Sequence, residues 1–431
     1  MRPNDLMVSD FYFEEPYRFV PPYRSERWLR FFRYILPRRL RKIDQVRRFD
    51  FRDAHLLKRS LEDGAGVLLA PNHARMNDPP VLGMLGLHLK RYFYYAASWH
   101  LFHRSRFDRF LIRRSGAFSL FREGIDRQAL RECGRILSEA ERPLVLFPEG
   151  TYFWHNDAVG PLREGISLIG RNADKAGKEV LIHPVGIKYW YLNDPRNSFA
   201  ERLDSLETIF GWYPRHGAGL VDRVLRIEEA FLSAREIEYL GESQTGPLHE
   251  RLLSLNEHLL SELEKRRFGA SKQGDFLQRC WGLRQQAVKR LSAEESNRHD
   301  RDEAWRDLSR LWLCQQLVSH QPEYLLERPS LERIGEAIHR MEEDLKGVTP
   351  PLAPMGAAIQ VGEPITLCSP TNNNGDSRLL SARVRSQVQH LIDQLLADGP
   401  PRRWACPPRI EREHAFASTP PIPAPVSLSN G

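Results

Sequence analysis

Cysteine is scarce and scattered. The chain has five, Cys133, Cys280, Cys314, Cys368 and Cys406, in 431 residues, with no C-x-x-C pair. That pattern argues against a zinc knuckle or a disulfide framework and suits a reducing compartment. Long apolar runs are missing as well. The most apolar stretches, Gly66–Ala70 and Val81–Leu89, fall far short of the roughly 20 residues a membrane-spanning helix needs. Any membrane contact is therefore expected to be peripheral. The opening MRPNDLMVSDFYFEEPYRF has no basic region followed by an apolar one, so no signal peptide is expected. Several hydrolytic and nucleotide signatures are absent too. Gly165 to Gly170 (GISLIG) misses the spacing of a G-x-S-x-G elbow, and there is no H-E-x-x-H and no Walker A loop. No internal repeat is visible.

What is present is an ordinary folded composition, 41% hydrophobic and 28% charged, with a basic balance of +7. A length of 431 residues points to one large elaborated domain or two smaller ones. The basic balance favours anionic partners: nucleic acid, anionic lipid or phosphorylated substrates. Nucleic acid ranks low, because no recognition motif accompanies the charge.

Much of that charge sits early. From Tyr23 to Phe49, Trp28, Phe31, Phe32, Tyr34, Ile35 and Leu36 interleave with Arg24, Arg27, Arg30, Arg33, Arg38, Arg39, Arg41 and Lys42. An interfacial helix places rings in the lipid headgroup layer and guanidinium groups on phosphates. The other reading is a helix packed on the domain with a solvated basic face. Pro37 is expected to stop or kink it.

Beyond the arm, short apolar runs alternate with helical patterns. Ala65–Ala70, Arg91–Ala97, Leu144–Phe147 and Val180–Ile187 read as strands, and Gln128–Glu141 as a helix. Pro79-Pro80 suits a first helical turn. This is the texture of an α/β fold. From about Asn193 the texture becomes helical, with one apolar stripe at Leu248, Leu252, Leu255, Leu259 and Leu263. A second runs through Leu331, Ile334, Ile338, Met341 and Leu345, before the stop signals Gly347 and Pro350. A strand pattern returns at Ala357–Ile365, followed by a helix with Val384, Val388, Leu391 and Leu395 on one face. The proline- and serine-rich tail from Gly399 to Gly431 is expected to be disordered.

Three spots carry chemistry. Asn72-His73-Ala74-Arg75-Met76-Asn77-Asp78 lies where a buried strand gives way to a helix, a common place for active sites in open sheets. Any reaction in which a hydroxyl attacks needs a base for the hydroxyl proton. Histidine titrates near neutrality, and a carboxylate can hold its second nitrogen. His73 and Asp78 could meet if the chain turns tightly. Alternatively, Asp78 before Pro79 is a helix N-cap and His73 a strand-end histidine. Phe147-Pro148-Glu149-Gly150-Thr151 follows another short strand and is either a ligand-facing turn or a plain strand-to-helix turn. Gly116-Ala117-Phe118-Ser119-Leu120-Phe121-Arg122 ends in an arginine that either grips phosphate or forms a surface salt bridge.

Taken in order, N-H-x4-D, G-x-x-F-x-x-R, F-P-E-G-T and Ile182-His183-Pro184-Val185 resemble the glycerolipid acyltransferase family, which includes 1-acylglycerol-3-phosphate acyltransferase. The resemblance covers about Asp50 to Tyr191, and Val361–Ile365 with its helix resembles the family's closing elements. It implies a mixed sheet flanked by helices, with a large, mostly helical insertion. The divisions are then 1–50 (basic arm), 51–192 (core), 193–353 (insertion), 354–398 (closing strand and helix) and 399–431 (tail). It implies His73 as general base and Asp78 as its orienting partner. Asn72, Arg75, Gly116, Arg122, Glu149, Gly150 and Thr151 would bind substrate, with Arg122 on the acceptor phosphate and Pro184 on the acyl-donor side. The donor would be acyl-CoA or an acyl carrier protein thioester, and neither a metal nor a bound cofactor is implied. The acceptor would be a lysophospholipid, used in phospholipid biosynthesis on the cytoplasmic face of the inner membrane. Departures cluster beside these motifs: Arg75 stands where the family usually has a small polar residue, and Tyr152 where it often has arginine. Ser98-Trp99-His100-Leu101 stands where it often carries a lysine. The competing expectation is an inactive membrane-surface scaffold that keeps the fold and binds a partner through its helices.

Overall fold

The computed structural model describes residues 17–401 apart from 104, 164, 167–168, 170–178, 273, 275, 294–296, 348 and 368–373. The tail expected from the sequence therefore lies outside the described residues from 402 onward.

An eight-stranded mixed sheet organises the chain, in the order β1-β7-β6-β2-β5-β3-β4, with β8 paired to β6. Its strands are β1 (Val46–Arg52), β2 (Gly66–Pro71), β3 (Tyr94–Ser98), β4 (Ala117–Leu120), β5 (Leu144–Val145), β6 (Val180–Tyr191), β7 (Met355–Val361) and β8 (Ile365–Thr366). Strands β6, β2, β5, β3 and β4 run parallel, whereas β7 is antiparallel to β6 and parallel to β1. Five strands thus end on one edge of the sheet.

Parallel strands between helical layers are covered on both faces, so they read as continuous apolar runs. Every residue of β2 is buried. Val67 and Leu69 face a layer with Val81, Leu82 and Leu85 of α3 (Asp78–Leu89). Leu68 and Ala70 face Cys133, Ile136 and Leu137 of α5 (Arg127–Glu139) and Val384 of the last helix, Asn374–Asp398. Each such leucine contributes about 1.5–3 kcal/mol by leaving water.

The chain leaves the sheet at Tyr191 and returns at Met355. Between them run α6 (Arg196–Ile209), α7 (Leu220–Leu240), α8 (Leu248–Phe268), α9 (Phe276–Leu291), α10 (Arg298–Ser319), α11 (Pro322–Glu327) and α12 (Leu331–Lys346). Leu255, Leu259 and Leu263 of α8 meet Cys280 of α9 and Leu311 and Leu317 of α10 in a second core. Helix α12 is buried nearly all round: Ile334 and Ile338 join the sheet core, and Glu332, Arg333, Glu336, Arg340 and Glu342 are buried as well.

Three local expectations change. Strand β1 straddles the expected boundary at residue 50, because VRRFDFR pairs with β7 and belongs to the sheet. Strand β3 starts at Tyr94, three residues later than expected. Lys90 closes α3 in a left-handed conformation, and the Arg91 N–H bonds back to Gly86. Helix α1 (Glu26–Lys42) runs through Pro37. It gives up one backbone bond there but is held by the packing of Leu36 and of Leu40, which is fully buried. Arg38, Arg39, Arg41 and Lys42 line the C-terminal end of that helix, and all four are exposed.

Candidate active site

Because β2, β4 and β5 are parallel, the segments that follow them meet at the same edge of the sheet. His73 comes two residues after β2, Arg122 two after β4, and Glu149–Thr151 shortly after β5. Such an edge is where open α/β sheets present side chains to ligands.

The turn from His73 to Asp78 is tight. His73 Nδ1 lies 2.9 Å from Asp78 Oδ2, which also accepts the Arg75 backbone N–H at 2.9 Å. The other oxygen, Oδ1, accepts the Tyr189 hydroxyl at 2.5 Å. Asp78 is fully buried, while the His73 side chain keeps 14% exposure. Asp78 is the first residue of α3, behind an Asn77 cap that makes no side-chain bond. Its carboxylate therefore serves the turn and the imidazole, not the N-cap role open to it in the sequence. The acidic charge at a helix N-terminus is favourable in itself. With Nδ1–H donated to Asp78, the ring is set in the tautomer that leaves Nε2 as an acceptor. Burial pushes the Tyr189 hydroxyl well up, so it stays a donor to Asp78.

Glu149 holds the same turn from the other side. One carboxylate oxygen accepts the His73 backbone N–H at 2.6 Å and the other the Gly160 N–H at 2.8 Å. Burial pushes its carboxyl up to about 8, against the pull of these two donors. The ring of Phe147, 4.2 Å from the imidazole between centroids, packs beside it, and Tyr152 approaches edge-on at 5.8 Å. Gly150 sits at φ +75, and a Cβ there would run into the Arg163 side chain. Arg122 Nη1 donates to the Gly150 carbonyl at 2.8 Å. His73, Asp78, Arg122, Glu149, Gly150 and Thr151 are thereby gathered around one turn.

The remaining residues predicted from the sequence are placed differently. Asn72 is buried and exchanges two bonds with the Ile187 backbone, at 3.0 and 2.7 Å, closing the β2–β6 ladder. Arg75 is 6% exposed, its guanidinium 5.4 Å from the Trp154 ring and 5.2 Å from that of Tyr189. Its charge is directed into the protein. Gly116 does not join the set, since it precedes β4 and so lies at the opposite edge of the sheet. Its φ of +94 and a Cβ position 2.8 Å from the Phe93 carbonyl explain the glycine without a ligand.

Sequence reasoning also missed residues. Tyr189 carried no signal beyond a strand position. The segment 152–157 is fastened to α12: Tyr152 and Trp154 donate to the two oxygens of Glu343, at 2.5 and 2.7 Å. The Asn156 N–H reaches Glu336 at 3.2 Å, and Trp154 stacks on His339 at 4.7 Å. Asp157 pairs with Lys188 and, at 3.0 Å, with Arg333. Burial alone would raise the Asp157 carboxyl, but the two cations hold it below the usual range. The aromatic departure after F-P-E-G-T is thus the seat of α12. The available clue was the run of acidic residues interleaved with the apolar stripe of that helix.

Residues 48–188 match the family model described as Acyltransferase. The match contains His73, Asp78, Arg122 and Glu149–Thr151, stops one residue before Tyr189, and supports acyltransferase activity in general. No curated protein matches the chain.

Proposed function

We propose that this protein is an O-acyltransferase that moves a fatty acyl group from acyl-CoA or acyl carrier protein to the hydroxyl of a lysophosphatidate-like glycerolipid, in phospholipid biosynthesis. The observation that carries the reading is the 2.9 Å pairing of His73 Nδ1 with a fully buried Asp78, at the sheet edge it shares with Arg122 and the 149–151 turn. A base held in this way keeps Nε2 for substrate.

The acceptor hydroxyl donates to His73 Nε2. As the proton moves to the imidazole, the alcohol oxygen attacks the thioester carbon. The tetrahedral intermediate then breaks its C–S bond, and the imidazolium returns the proton to the departing thiolate. Asp78 stabilises the transient imidazolium, and Tyr189 and the Arg75 N–H keep the carboxylate aimed. Arg122, Gly150 and Thr151 face the acceptor. Asn72, Arg75 and Glu149 act by position, since their polar groups are used within the protein. The thioester is a co-substrate, and the sequence of proton transfers requires no metal or resident cofactor.

The reading includes a peripheral, cytoplasmic-face membrane location. The exposed basic end of α1 and the exposed Phe107 and Phe110 of α4 (Arg106–Arg114) would meet anionic lipid. Among the described residues, no helix is long and apolar enough to cross a membrane.

The test is thiol release from acyl-CoA by the purified protein over a panel of lysophospholipids. Release that depends on acceptor supports the reading. Vesicle binding without turnover across the panel would replace it with the scaffold reading.

A further inference from the structure

A cavity of about 310 Å³ lies where residues 153–155, the end of α10, α11 and α12 come together, with Glu228 of α7 on its wall. Most of that wall, including Glu228, Tyr324, Arg333, Glu336 and Arg340, belongs to the helical region beyond the segment that matches the family. The volume is at the lower end of clefts that hold small molecules.

The cations here are already matched. Arg333 Nε meets Asp157 at 3.0 Å, and Arg340 Nη2 meets Asp344 at 2.8 Å and Glu343 at 3.1 Å. His320 sits between Asp344, at 2.7 Å, and Glu228 Oε1, at 3.3 Å. Burial works against its charge, but the two carboxylates hold it up to about 9. The carboxylates of the lining are not matched. Glu228 Oε2 and Glu336 Oε1 are buried and have no hydrogen-bond partner among the described residues, and no other side-chain atom of the lining shares that state. The two residues are 6% and 2% exposed. Glu336 uses only Oε2, which accepts the Tyr324 hydroxyl at 3.0 Å and the Asn156 N–H at 3.2 Å. Burial, with Asp157 nearby, pushes the Glu336 carboxyl up to about 8 against the pull of Arg75 and Lys188. Ionisation there is costly until a further cation arrives. A buried acceptor without a donor is costly as well, and a cation that carries N–H groups removes both costs.

We infer that this cavity binds a small primary amine in its ammonium form, with Glu336 Oε1 as the main acceptor and Glu228 Oε2 as a second. The alternatives fit less well. An anion finds no unpaired buried donor on the lining. A metal ion has no seat, since no group of three or more His, Cys, Asp or Glu among the described residues could hold one. A quaternary ammonium needs open ring faces, but Arg333 lies 4.0 Å over Tyr324 and His339 stacks on Trp154 at 4.7 Å. A primary ammonium brings three N–H donors, which is what the free oxygens lack. Because the cavity joins residues 153–155 to α10–α12, the ligand stabilises that joint when it binds.

The test needs no turnover, so its outcome does not depend on acyl transfer. Thermal unfolding of the full-length protein is followed in phosphate buffer with n-butylammonium chloride, tetramethylammonium chloride, sodium chloride or n-butanol, the salts at matched ionic strength. Butylammonium gives saturable stabilisation and the other three do not. Glu336→Gln keeps an oxygen for Tyr324 and Asn156 but sets an amide NH2 where the free oxygen stood. It weakens the effect by about tenfold or more, the loss of one charge-assisted hydrogen bond. Ala337→Leu fills the cavity from the half-buried Ala337 on its wall and leaves both carboxylates in place. It abolishes the response, with circular dichroism matched to the wild type, and it decides alone should Glu336→Gln fail to fold. No saturable response to butylammonium in the wild type overturns the site. So does an equal response to tetramethylammonium or butanol, or an undiminished response in either folded variant.

Discussion

Around His73 the two contacts that close the turn on itself are short in sequence, although Glu149 and Tyr189 brace it from 76 and 111 residues away. His73 and Asp78 are five residues apart and Arg75 and Asp78 three. Around residues 152–157 they are long. Tyr152 and Trp154 reach Glu343 across 191 and 189 residues, and Asn156 reaches Glu336 across 180. The first set lies wholly inside the segment that matches the acyltransferase family, and the second joins that segment to α12. The comparison separates two jobs. A local turn aims the base, and a distant helix fixes the strip of chain that follows Gly150. Changes in the first set should therefore alter rate with little loss of stability, and changes in the second should do the reverse.

The largest separation is expected for Asp78→Asn. The amide would bond the imidazole in the wrong sense and face the Arg75 N–H and Tyr189 hydroxyl with mixed polarity. Thiol release should fall by about 10²–10⁴-fold, the usual worth of an oriented general base. Steady-state kinetics with a fixed acceptor would read it, and a loss confined to KM would break the comparison. Next comes Lys188→Met, which leaves Asp157 buried with Arg333 alone; both members of the Lys188–Asp157 pair are at most 2% exposed. A cost of about 3–5 kcal/mol in urea unfolding is expected. Adding Asp157→Asn should restore a good part of it.

How much of this was legible beforehand follows the same division. The central strands were readable because β2 and β6 are buried on both faces and so appear as unbroken apolar runs. The turn motif was readable because its parts are neighbours in the chain. Strand β1 was hidden by its charge, since VRRFDFR at the sheet edge has only one buried residue. The continuation of α1 past Pro37 was hidden because Leu40 is held by the domain, a tertiary effect that outweighs the missing backbone bond. Glu149 read as a ligand group, yet its two oxygens serve backbone N–H groups, and nothing in F-P-E-G-T shows that Gly160 folds back to it. Tyr189 had no local signal at all, because it acts on a residue more than 100 positions away, and Glu343 showed only as one of the acidic residues beside the apolar stripe of α12.

A smaller effect sharpens the division from the α12 side. Glu343→Gln keeps the volume but weakens the acceptor of the Tyr152 and Trp154 bonds, and a loss of about 1–3 kcal/mol is expected with kcat nearly unchanged. The smallest per pH unit is a slope of stability. The Glu149 carboxyl is raised to about 8 in the folded chain, above its ordinary range. The native state thus keeps a proton that the unfolded state loses first, and stability falls as pH rises from about 4.5 to 8, by at most about 1.4 kcal/mol per unit. Subtracting the profile of Glu149→Gln from that of the wild type should isolate this slope, and its absence would mean that the carboxylate is ionised throughout.

The central claim is that one imidazole removes the acceptor's proton, and His73→Ala addresses it most directly. With circular dichroism and thermal unfolding matched to the wild type, acceptor-dependent thiol release from acyl-CoA should drop to background. Release at the wild-type rate from the folded His73→Ala protein would contradict the account.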